Sequence, residues 1–130
     1  LKIGVLAQVE EGRGPGRSVA LKMKDPRAQA GVARALAEKG IETDRGSPTR
    51  VTGSATSRAL RVSVFPGTES YRAGAELMVS GPDGEPRRFF AEASALDVDG
   101  DLAAAKAVEA AGYKAGLALA ELLNASQPAN

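Results

Sequence analysis

Two segments of this chain combine residue types and spacings that suggest chemistry. The first is Glu11-Gly12-Arg13-Gly14-Pro15-Gly16-Arg17-Ser18. Backbone N–H groups of a Gly-rich loop can cradle a phosphate, and two arginines can clamp it. A phosphate loop needs a leading glycine where this chain has Glu11, and a lysine where it has Arg17. Pro15 removes a donor, and a strand pattern follows where a helix should. The segment therefore reads as a hairpin loop.

The second is Asp97-Val98-Asp99-Gly100-Asp101. Asp97, Asp99 and Asp101 are the candidate metal ligands, since closely spaced carboxylates gather around hard cations such as calcium. The closing glutamate of a calcium loop would fall at Val108, and the glycine comes too early. An Asp-rich turn that caps the final helix, with Asp101 as the cap, accounts for the same residues. Cation or small-ligand binding by residues 97–101 is the alternative function.

Composition removes further chemistries. The chain has no histidine and no cysteine, which excludes the commonest general base, thiolate nucleophiles, disulfides and zinc–thiolate sites. A carboxylate pair or a Ser–Lys pair would have to carry any hydrolysis, and no spacing selects one. We therefore expect no enzyme activity and no cofactor. The net charge is +1, so no global field draws the chain to nucleic acid or an anionic membrane. No apolar run reaches the roughly 18 residues of a membrane span.

A third constellation is electrostatic. Arg58, Arg61, Arg72, Arg87 and Arg88 fall in one stretch, interleaved with Glu69, Glu76, Glu85 and Glu92. Alternation points Arg61, Arg72 and Arg88 outward together with Phe65 and Phe90, and these five are the candidate partner-binding residues. Glu76 and Glu92 share that face, so cross-strand ion pairing explains much of the pattern.

The elements that must position these residues follow from periodicity and punctuation. Residues 1–9 and 18–23 alternate like strands on either side of the Gly-rich segment, which suggests a hairpin. Asp25-Pro26 opens a helix and Gly40 closes it. A short strand at 41–43 is expected. Residues 51–57 read as an edge strand or loop, because small polar residues dominate. A three-strand meander follows over 58–65, 71–80 and 86–95, turning at Pro66-Gly67 and Gly81–Gly84. A helix over 101–123 ends the domain, with a stripe of Leu102, Ala105, Gly112, Ala115, Leu119 and Leu122. Its glycines, Gly112 and Gly116, suggest close approach to the sheet. The expected fold is α+β, a two-layer sandwich of an antiparallel sheet (hairpin plus meander) packed by two helices. It forms one domain over 1–123 with a frayed polar tail at 124–130. Because it opens at Leu1, we expect the sequence to be a processed form or fragment of a longer chain.

Asp25-Pro26-Arg27 opens an Ala-rich helix that ends Leu36-Ala37-Glu38-Lys39-Gly40-Ile41. This helix, followed by antiparallel strands and a closing Ala-rich helix, resembles small α+β domains of bacterial cell-envelope lipoproteins. The resemblance follows the order of elements over 25–123 and carries no functional residue across. It implies an accessory role in assembly, tethering or contact with larger envelope complexes, in the periplasm or envelope. Composition by itself also permits the cytoplasm. The lipidated cysteine of such proteins would have to lie upstream of Leu1. The expected function is thus a non-catalytic protein-binding or assembly module. Its partner is another protein, or a second copy, met through the sheet face or edge.

Overall fold

The computed structural model describes residues 18–61, 65–81 and 86–125. Five strands and two helices follow one another as β1 (Ser18–Met23), α1 (Pro26–Glu38), β2 (Glu42–Thr43), β3 (Arg50–Ala59), β4 (Glu69–Ser80), β5 (Arg87–Asp97) and α2 (Gly100–Ala125). The sheet order is β2-β1-β3-β4-β5. β1 runs parallel to both β2 and β3, while β3, β4 and β5 form an antiparallel meander. The fold is therefore α+β as expected, but the sheet is mixed and curled. An antiparallel two-layer sandwich describes it only in part.

Local chemistry sets the bounds of α1. One carboxylate oxygen of Asp25 accepts from the N–H groups of Arg27 (2.8 Å) and Ala28 (3.2 Å), and Pro26 sits where its missing donor costs nothing. At the other end Gly40 adopts φ +81°. Its N–H bonds to the Ala37 carbonyl, and the Ile41 N–H reaches back to the Leu36 carbonyl. This is the paired bonding of a Schellman stop, with Ile41 and Leu36 both in the core.

β3 departs most from expectation. The strand occupies Arg50–Ala59; Arg50–Gly53 lie between β1 and β4, while Ser54–Ala59 pair with β4 alone among the described residues, as the expected edge strand would. At Gly53 larger neighbours leave no room for a side chain. A Cβ added at Gly53 would meet the Glu76 carbonyl oxygen at 2.3 Å, the Leu77 side chain at 3.0 Å and the Met23 side chain at 3.1 Å. Leu60, just past the strand, donates its N–H to the Ser70 carbonyl, and residues 62–64 lie outside the described residues. β4 alternates as expected, with Ala73, Ala75, Leu77 and Val79 buried against the helices.

α2 differs from the expected helix in its cap and in its buried side. Its cap is Asp99, not Asp101: the Asp99 carboxylate accepts from the N–H of Asp101 at 2.8 Å, and its carbonyl accepts from Ala103 at 2.9 Å. The buried side runs through Ala103, Ala107, Ala111, Ala115 and Leu119, while Leu102 stays 47% exposed. Nearly every position of this helix is apolar, so periodicity alone could not choose the inward face. The helix also continues through Asn124 and Ala125.

The two glycines of α2 approach α1, not the sheet. A Cβ at Gly112 would lie 2.4 Å from the Ala28 carbonyl oxygen, and one at Gly116 would lie 2.8 Å from Ala35 Cβ. Gly31 of α1 is equally tight against α2. These contacts advance along both helices together, so α1 and α2 run in the same direction. Small side chains let the two backbones nearly touch and pack as one layer over the sheet. Several readings lie outside the described residues: the strand at 1–9, the hairpin with its Gly-rich loop, Val62 and Val64, the turn at 82–84, and residues 126–130 of the tail.

Candidate partner-binding surface

The helices cover one face of the sheet. On the other face β4 and β5 alternate outward with Arg72, Gly74, Glu76 and Met78 opposite Ser94, Glu92, Phe90 and Arg88. Arg72 reaches the Glu92 carboxylate at 2.9 Å and the Ser94 hydroxyl at 3.4 Å. Arg88 meets Glu76 at 3.1 Å. All four charged side chains remain largely in water, so each pair contributes at most about 1 kcal/mol. Their effect is to order the long side chains around one aromatic ring.

That ring is Phe90. It is 63% exposed, and a Cβ at Gly74 would meet its ring at 2.9 Å. The phenyl group thus reaches over the bare backbone of β4 at Gly74. Glycine weakens a strand, and a cross-strand aromatic that covers it restores packing. Arg72 and Arg88 stand on either side of Phe90 along the strands.

The other two candidates fall elsewhere. Arg61 follows the end of β3, and Phe65 sits in the connection to β4, where the Thr68 N–H and hydroxyl both donate to its carbonyl. Phe65 is 56% exposed. Both residues belong to the Glu69 end of β4, whereas Phe90 pairs with Glu76. At about 3.3 Å per residue, the Glu69 end of β4 lies roughly 23 Å along the strand from Phe90. The structure brings Arg72, Arg88 and Phe90 together and leaves Arg61 and Phe65 at the sheet's end.

The carboxylates of 97–101 are committed to protein groups. Asp97 bonds Lys106 at 2.6 Å and accepts from the Asp99 N–H at 3.0 Å. The Lys106 hydrogen bond, then that of the Asp99 amide, holds the Asp97 carboxyl below its ordinary range. Asp99 caps α2. No group of three acidic residues converges on a common point among the described residues.

Tyr113 of α2 donates its hydroxyl to Glu38, and that bond to a carboxylate pushes the phenol pKa up. The Arg34 guanidinium lies 4.5 Å from the same ring's centroid. These contacts tie the helices along their exposed seam.

Sequence reasoning passed over Lys22, Arg45 and Arg50. Three separate elements bring them to one groove beside β1. Only parallel pairing of β1 with β3 makes them neighbours, and no spacing along the chain announces that.

With this geometry the chain is an α+β domain of a kind found among bacterial lipoproteins. It is similar to a minor lipoprotein from Acinetobacter baumannii, at 14% identity and TM-score 0.53 over 86% of this chain and 97% of that one. It is also similar to a lipoprotein structure from Caulobacter crescentus, at 13% identity and TM-score 0.51 over 90% and 98%. A looser superposition, TM-score 0.46 at 15% identity, relates it to the rare lipoprotein B of Shewanella oneidensis over 84% and 92%. The fold likeness rests on the first two. No family model and no curated protein matches the chain.

Proposed function

We propose that this chain is a non-catalytic protein-binding module of a bacterial envelope protein, and that Phe90 is the anchor of its contact surface. The observation that carries the reading is the pose of Phe90. A large aromatic ring is laid over Gly74, ringed by two ordered ion pairs, and left mostly in water. Interfaces concentrate energy in such aromatic and arginine groups, with paired charges at the rim. Arg61 and Phe65 extend the surface toward the β3–β4 connection. The fold likeness to bacterial lipoproteins supports placement in the envelope, as does the helix resemblance. Carboxylates already spent on Lys106 and on the α2 cap do not favour the cation-binding alternative.

The test is site-specific photo-cross-linking in intact bacterial cells, with the reactive residue at position 90 or, on the opposite side, at Glu121. A discrete adduct from position 90 alone, weakened by Arg72→Glu, is the expected result. The same adducts from both positions would overturn the reading.

A further inference from the structure

The sheet ends on a partly open edge at β1. β2 pairs only with Ser18 and Val19, so among the described residues no strand lies beside Ala20 to Met23 on that side. The Ala20 and Lys24 N–H groups bond toward β3. By alternation the main-chain groups of Val19, Leu21 and Met23 point to the open side, while their side chains face the helices. The Val19 carbonyl accepts from Asp44 N–H at 2.7 Å, and the Met23 N–H donates to the Gln29 side chain at 2.8 Å. Leu21, between them, has no hydrogen-bond partner on this side among the described residues. A groove of about 670 Å³ runs along the edge, lined by Leu21, Gln29 and Thr52 with Lys22, Arg45 and Arg50. None of these three cations has an ion pair among the described residues, in contrast to Arg72 and Arg88.

We propose that this edge accepts an extended acidic segment of a partner protein, which adds a strand in line with β2. The added strand supplies the main-chain pairing that Leu21 lacks. Side chains of an added strand alternate. One set would face Leu21 and Ala33 on the α1 side, where apolar groups fit, and the other would face Lys22 and Arg50, where carboxylates fit. A second copy of this chain is a poor occupant, since it would set Lys22, Arg45 and Arg50 against the same three cations with only Asp44 at the edge to offset them. The site lies on the opposite side of β3 from Phe90, so it stands or falls independently of the contact surface proposed above.

Amide hydrogen exchange of the full chain tests this, with a short peptide of alternating Glu and Val and its Lys–Val counterpart as probes. The Leu21 amide should exchange fast in the free protein and slow on adding the Glu–Val peptide. The Met23 amide, held by Gln29, serves as the internal standard. Raised salt should weaken the effect. The combined Lys22→Glu, Arg45→Glu and Arg50→Glu replacement should weaken it about tenfold and turn the preference toward the Lys–Val peptide. Lys22→Glu alone should give an intermediate loss. Three results would each overturn the proposal: a Leu21 amide already protected in the free protein, which means the chain's own residues fill the edge; no change at saturating peptide; or equal response to both peptides.

Discussion

A Cβ placed on Gly31 would lie 2.3 Å from the carbonyl oxygen of Glu109, so α1 touches the backbone of α2 there with no room for a methyl group. The obstacle is main chain on both sides and cannot rotate away. Gly31→Ala should therefore destabilise the protein by about 1–3 kcal/mol, despite the roughly 1 kcal/mol that alanine gains in a helix. Gly74→Ala is the contrasting case, since only the Phe90 ring stands in its way and that ring swings into solvent. Its cost should stay within about 0.5 kcal/mol. Urea denaturation of both variants makes the comparison, and equal losses would contradict it.

The helix packing also shows what could be read in advance. α1 was legible end to end because its caps are local: Asp25, Pro26 and Gly40 act within a few residues of themselves. β4 and β5 were legible because one face is buried and the other wet, and Phe90 was placed outward on that basis. β3 was not. Its small polar residues do form an edge over Ser54–Ala59, but only Leu77 and Met23, from other strands, make Gly53 a central position. Phe65 was misplaced with it, because the error in strand bounds carried Phe65 onto the sheet face. The basic groove was illegible because tertiary pairing alone assembles it.

Asp97 and Lys106 give an acid-side signature. Hydrogen bonding holds the folded-state pKa of Asp97 below its unfolded value. The stabilisation is therefore present above the unfolded carboxylate pKa and is lost as pH falls through the lower folded value. The stability difference between the parent chain and Asp97→Asn should be constant near neutral pH and shrink below about pH 4. Denaturation curves taken across that range measure it. A difference independent of pH would mean that the Lys106 contact carries no linkage.

The start of α2 separates two aspartates by role. Asp99 satisfies the first N–H groups of the helix, so Asp99→Ala should cost about 1 kcal/mol. Asp101 lies within the first turn and only complements the helix dipole, worth about 0.3–1 kcal/mol. Asp101→Ala should thus shift the denaturation midpoint less. The reverse order would return the cap to Asp101.

β3 has one antiparallel and one parallel neighbour, and the two differ in how far the chain must travel to form them. Pairing with β4 closes a short connection, and β5 extends the same meander. Pairing with β1 must wait for α1, β2 and the connection beyond them to fold back across the sheet. Loop-closure entropy therefore favours the meander as the early nucleus, with the β1 side joining last. By the same reasoning the β1–β3 seam is the first to part when the molecule opens. The strand that borders the basic groove thus also borders the least cooperative part of the fold, and a segment bound there would clamp the seam as well as extend the sheet.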